Sequence, residues 1–347
     1  MKVGRLDPAG SVVLADVPEP VAGDGELTVR LAACGVCGTD LEKLRGNYKT
    51  AGILGHEPVG RVEATGPGVE GFRAGDRVFV HHHIPCLACD VCRRGDTTFC
   101  PTYSTTNLAP GGFAELFLAS AAHVRQGAVL RLDPSVDWRT GALLEPAGCA
   151  MTALRRLGLP DGARVLVLGL GPVGLLYARL ARALGASWVG GTEISELRRA
   201  AGERDGVDVT CDPRVPGAVE ELVRAATGGQ GVDLAVAASG HPSVVRSAVG
   251  AVRRGGTVSL FGLPEPGSRL DVDLQQFYLR GVRLLPSYAT TEPDVLAVHD
   301  LLVRGRLRVR DLVTHDRLLT EIGEAFRLAA HPEEAVKVVV TGAAFGP

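Results

Sequence analysis

An apolar run at residues 165–168 leads straight into Gly169-x-Gly171-x-x-Gly174, and a helical pattern follows over 174–184. Glycines at this spacing permit a tight turn and bring the backbone close to a pyrophosphate resting on the helix N-terminus. Pro172 and Val173 fill the motif, residues 187–192 read as a second strand, and Glu193 closes it nineteen residues after Gly174. A carboxylate there accepts hydrogen bonds from an adenosine ribose and repels a 2′-phosphate, which favours NAD over NADP. Glu193 also reads as a solvated loop carboxylate, and Arg198 and Arg199 lie near enough to leave NADP open. The alternation continues, with helical patterns at 220–227 and 244–252 and strands at 232–237, 257–261 and 282–287. It predicts βαβ units and a parallel sheet, an α/β fold.

The chain has 347 residues, more than one core of about 250–300 residues holds. Before about 145 the texture differs: short strand-like runs at 27–32, 59–64 and 77–80, punctuated by Gly and Pro, predict a β-rich domain. After about 290, helical stretches at 295–304 and 321–329 lead to a last strand at 335–340, which is expected to return to the first domain. The expected division is 1–148 with 290–347, and 149–289 between them.

Charge narrows the class. With 37 Lys+Arg against 39 Asp+Glu and no basic stripe, neither a nucleic acid nor a membrane surface is an expected partner. No run approaches the ~18 apolar residues of a membrane span. Residues 1–10 alternate polar and apolar side chains and read as a strand, not a leader, so a cytoplasmic location is expected.

Four of the eight cysteines crowd into Cys86-x2-Cys89-x2-Cys92-x7-Cys100, enough thiolates for a closed, tetrahedral zinc site that organises a loop. A second set lies upstream in Cys34-Gly35-Val36-Cys37-Gly38-Thr39-Asp40 and Gly55-His56-Glu57-Pro58. One Cys, one His and a carboxylate with an open fourth position make a catalytic zinc site. Cys34-x2-Cys37 also reads as a redox pair, and His56 as a core histidine.

Taken in order, these four motifs resemble the zinc-dependent medium-chain alcohol dehydrogenase superfamily, particularly its polyol and threonine dehydrogenase branch. The resemblance implies a GroES-like catalytic domain joined to a Rossmann domain, two zinc ions per chain, and a dimer or tetramer. It implies that Cys37 and His56 hold a catalytic zinc, with Glu57 and Glu145 expected to exchange as third ligand, and that Asp40 orients the histidine. Thr39 corresponds to the hydroxyl that meets the substrate alcohol and starts a proton relay. Where many relatives finish that relay with His, this chain has Glu42, which either accepts the proton or contacts a polar substrate. Lys337 corresponds to a base that reaches the cofactor pyrophosphate, and otherwise is a surface lysine.

The resemblance further implies a pocket lined by His82, Ser287 and Tyr288, with Tyr48 and Thr105 as outer contributors. The set is polar, which suits a substrate with several hydroxyls or an amine. His82 also reads as a strand residue, and because strand neighbours face opposite ways His81, His82 and His83 are not expected to form a three-His metal site. The expected reaction is hydride transfer between NAD(H) and a secondary alcohol of a polyol, cyclitol or sugar-like compound, a small polar alcohol or its ketone. Threonine dehydrogenase and a simple secondary-alcohol dehydrogenase or reductase are the alternatives within the enzyme class. A zinc-only structural or redox-sensing protein is the alternative outside it.

Overall fold

The computed structural model describes residues 1–47 and 52–346. Arg164–Leu168 is a central strand, and its near-continuous apolar sequence follows from burial on both faces. Val165 and Val167 pack with Leu175, Leu176 and Tyr177 of the helix Pro172–Ala183, while Leu166 and Leu168 pack with Leu222, Val245 and Ala248 on the other side. Six parallel strands run in the order Val209–Cys211, Trp188–Thr192, Arg164–Leu168, Val232–Ala237, Val252–Leu260, Arg283–Pro286. In chain order this is 3-2-1-4-5-6, so the winding reverses beside Arg164–Leu168, where the crevice of a doubly wound sheet opens.

Three elements of this unit carried no readable pattern. Val209–Cys211 is a three-residue edge strand, partly exposed. The helix Glu196–Arg204 buries only Ala201 and Gly202, and Leu274–Arg280 buries nothing, so neither needs an apolar stripe.

A second sheet is ordered Val313–Leu318, Lys337–Thr341, Leu27–Gly35, Pro58–Thr65, Arg77–Val80, Val129–Arg131, with Leu116–Ala119 on the first half of Leu27–Gly35. The last strand starts two residues later than expected and pairs antiparallel with the strand before Cys37: Val339 opposite Gly35, Val340 opposite Cys34. Its other neighbour, Val313–Leu318, reads Val-Thr-His-Asp-Arg-Leu, too polar to announce a strand.

The helix Leu144–Leu157 is buried at every position except Arg155 and Arg156, and it packs against the helices Pro172–Ala183 and Glu292–Val303. Arg179, 3% exposed, grips Asp311 with two bonds of 2.5 and 2.7 Å and so ties the parallel sheet's first helix to the C-terminal third. Among the described residues, no helix is long and apolar enough to cross a membrane.

Candidate active site and metal centres

The four cysteines of the lobe converge. Their sulfurs lie 3.6 Å (Cys89 to Cys92), 3.8 Å (Cys89 to Cys100), 3.6 Å (Cys86 to Cys100) and 4.0 Å (Cys86 to Cys92) apart. Four sulfurs around a zinc at about 2.3 Å sit about 3.8 Å from one another, so the set fits a tetrahedral ion. None is in a disulfide. Burial pushes the Cys100 thiol up, but amide donation from Cys86 and Thr102 outweighs it and brings it down to about 6, while burial and the neighbouring thiols push Cys92 up to about 12. Tyr103, buried beside Cys92 and Cys100, anchors the lobe by donating to Thr290 O at 2.9 Å and meeting His81 Nε2 at 3.2 Å, while His81 Nδ1 lies 3.1 Å from Glu292.

A second cluster forms where Leu27–Gly35 hands over to the helix Gly38–Leu44. Cys37 is the N-cap of that helix, and Asp40, fully buried, accepts from the Cys37 and Gly55 amides at 3.3 and 3.2 Å. Asp40 Oδ1 lies 3.4 Å from His56 Nδ1, which holds the ring and leaves Nε2 for a metal. Ligand atoms of Cys37, His56 and Glu57 come within 4.8 Å of one another. Burial opposes charge on His56, yet Asp40 and Cys37 raise its pKa well above the ordinary value. The cluster is therefore a place for positive charge, and its soft, borderline and hard donors fit zinc.

Lys337 is no surface lysine. Strand pairing beside Gly35 buries its ammonium to 2% exposure, and a buried cation needs a carboxylate. It donates to Glu57 Oε1 at 2.8 Å and lies 2.6 Å from Oε2, at the metal cluster. Gly35 makes room for this pair, since a Cβ there would stand 1.8 Å from Glu57 Oε2. Gly35→Ala is expected to lower stability by about 1–3 kcal/mol through overpacking, read as a lower urea midpoint.

Glu145 sits in the first turn of Leu144–Leu157, buried, but outside the three-donor group; its Oε1 takes a 3.4 Å hydrogen bond from the Cys149 thiol. Thr39 is half-buried, two residues beyond Cys37. Glu42 is held at the helix end, by Arg45 at 2.5 Å on one oxygen and Asn47 at 2.7 Å on the other.

At the glycine loop, Gly169 has φ +100°, and a Cβ on Gly174 would stand 1.9 Å from Gly169 O, so no side chain fits there. Pro172 and Val173 open the helix that follows. Glu193 is buried and accepts from Leu170 N (3.0 Å), Ile194 N (2.8 Å) and Ser195 N (3.0 Å), so it is no solvated loop carboxylate. Arg198 donates to Ala335 O, and its Nη1 borders Gly171.

The pocket residues divide. His82 is buried with its ring 5.0 Å from that of His56 and its Nδ1 without a partner among the described residues; burial, then His83 and His56, keep it neutral. The rings of His82 and His83 lie 4.0 Å apart and those of His81 and His82 5.5 Å, because Arg77–Val80 ends before them and strand alternation no longer applies. They form no three-donor metal group among the described residues. Ser287 keeps a hydroxyl unpartnered among the described residues, and Tyr288 packs near Phe99 and Tyr103. Thr105 is a correction: it is exposed, and its hydroxyl bonds Thr102 O at 2.8 Å because a short 3-10 turn places it there. Tyr48 lies outside the described residues. Sequence reasoning missed Cys149 and the Tyr103–His81–Glu292 chain, whose partners no motif links.

Comparison with known proteins agrees with this geometry. Residues 23–128 match the alcohol dehydrogenase GroES-like domain and 172–304 the zinc-binding dehydrogenase family. The chain is 30% identical to sorbitol dehydrogenase of Bacillus subtilis (strain 168), covering 98% of this chain and 97% of that one. It is 33% identical to L-threonine 3-dehydrogenase of Pyrococcus abyssi over 93% of each. The solved alcohol dehydrogenase TADH from Thermus sp. ATN1 superposes with a TM-score of 0.88 at 27% identity, covering 99% of this chain and 100% of that one. With both signature regions and nearly the full length matched, the chain belongs to the zinc-dependent medium-chain alcohol dehydrogenase superfamily, in its polyol and threonine dehydrogenase branch.

Proposed function

We propose that this chain moves hydride between NAD(H) and a secondary alcohol of a polyol, cyclitol or sugar-like compound, with one catalytic and one structural zinc. The observation that carries it is the gathering of Cys37, His56 and Glu57 within 4.8 Å, flanked by His82 with an unpartnered ring nitrogen. When bound, the zinc supplies Lewis acidity to an alcohol or carbonyl oxygen and the nicotinamide accepts or gives the hydride. Cys37 and His56 hold the metal, Glu57 or Glu145 completes its protein ligands, and Asp40 fixes the His56 ring. Thr39 would accept the substrate's hydroxyl proton while passing its own on toward the cofactor ribose. His82, neutral, and Ser287 each keep a polar atom for a second substrate hydroxyl, and leaving these unmet is what makes a simple alcohol a poor substrate.

Threonine's carboxylate would want a cation. The described cations at the cluster, Lys43 and Lys337, already face Asp40 at 3.6 Å and Glu57 at 2.6 Å, which favours the neutral polyhydroxylated class. Both Glu42 oxygens are engaged, so water finishes the relay. Glu42→Gln is accordingly expected to leave the pH profile of turnover unchanged, and a flattened profile would assign the base to Glu42.

Glu193 faces the adenosine ribose and excludes a 2′-phosphate. NAD is expected to be preferred over NADP on the order of 100-fold in kcat/KM, about 2.7 kcal/mol of like-charge cost. Glu193→Gln, which keeps the acceptor for Leu170 N, should bring the two within about tenfold. The chain is also read as a cytoplasmic homo-oligomer: the edge strand Arg283–Pro286 is paired on one side only, and Leu274, Tyr278 and Leu279 beside it are exposed. Zinc counting by native mass spectrometry with NADH fluorescence tests the whole: two ions per chain and enhanced NADH emission support it, and one ion or no NADH binding refutes it.

A further inference from the structure

We propose that Cys149 is a positioning residue for Glu145, its thiol holding that carboxylate off the Cys37–His56–Glu57 donor cluster so that Glu145 joins a bound metal only by giving the thiol up. The inference rests on the proposed catalytic zinc.

Residues four apart on a helix share a face, and Leu144–Leu157 brings Cys149 Sγ to 3.4 Å from Glu145 Oε1. Both are nearly sealed from water, at 8% and 6% exposure. Among the described residues, that thiol is the carboxylate's only hydrogen-bond partner. The other candidate ligand is tethered differently: Glu57 receives a charge-assisted bond of 2.8 Å from buried Lys337 while sitting inside the donor group. A thiol is a weak donor and an ammonium a strong one. Glu145 is thus restrained by the bond that breaks more easily, and Cys149 sets how often it leaves. A hydrophobic residue at 149 would leave the carboxylate buried with no donor and bias it toward the cation.

The test compares Cys149→Ala with Cys149→Ser, which keeps a donor. Catalytic-site metal is identified in both by subtracting the signal of Cys37→Ser. Zinc loss to a chelator and the visible spectrum after cobalt exchange are read together with the melting temperature. Cys149→Ala is expected to slow zinc loss about fivefold or more and to shift the cobalt bands, with Cys149→Ser close to the unmodified protein. In a Glu145→Ala background, Cys149→Ala should change neither reading. Unchanged zinc loss and cobalt bands in Cys149→Ala, even with a lowered melting temperature, would show a packing role and overturn the proposal. So would an equal shift without Glu145. A cobalt spectrum of the unmodified protein identical to that of Cys37→Ser would overturn the zinc reading itself, and this inference with it.

Discussion

His56→Ala is expected to lower kcat/KM by on the order of 1,000-fold or more, the several kcal/mol of charge stabilisation that a Lewis acid contributes. Three donors gather at the cluster among the described residues, and removing the imidazole leaves Cys37 and Glu57, with Glu145 held by the Cys149 thiol and His82 close but outside the donor group. The metal count should fall from two to one per chain while the four-cysteine lobe stays filled. Cys37→Ser should behave alike. Asp40→Asn should be milder, because it loosens the ring's orientation and keeps the ligands. Steady-state kinetics with metal analysis on the same samples reads all three. Full activity in His56→Ala would remove this cluster from the chemistry.

The second large effect concerns the lobe. Cys100→Ser is expected to cost several kcal/mol of local stability, since an all-cysteine zinc site contributes folding energy outright. The lobe has little else to hold it: its apolar cluster is Cys92, Cys100 and Tyr103, with Cys86, Cys89, Tyr288 and Ala289 packed at the side. Loss of the ion would leave thiols facing one another and free Tyr103 from the His81 and Thr290 contacts, next to the pocket residues His82 and Tyr288. The variant should lose one zinc, become open to proteolysis within 86–100, and lose activity through the loosened pocket. Hydrogen exchange confined to this segment would show it. A lobe as protected as before would mean that its packing, and not the metal, organises it.

Both sites were legible where ligands lie close in sequence. The spacing of Cys86, Cys89, Cys92 and Cys100, and of Gly169, Gly171 and Gly174, reports geometry directly, because a short loop can close around an ion or a phosphate in few ways. Cys37 and His56 were joined by donor chemistry, with a redox pair and a core histidine left open until the resemblance was added. The pair of Lys337 with Glu57 was invisible because the two are 280 residues apart and only the register of Val339 on Gly35 brings them together. The His81 pair with Glu292, 211 residues apart, was invisible for the same reason. Thr105 failed differently: a local turn took its hydroxyl, and residue type alone does not say which way a loop faces. Val313–Leu318 was lost to its polar side chains, which backbone pairing tolerates at a sheet edge.

The most direct measurement is the initial rate of NADH formation across polyols, inositols, amino cyclitols, threonine and simple secondary alcohols, with zinc-loaded protein and with the same protein stripped by a chelator. The account predicts turnover concentrated on polyhydroxylated alcohols, lost on stripping and restored by zinc. Turnover indifferent to the metal, or best with a simple alcohol, would contradict it.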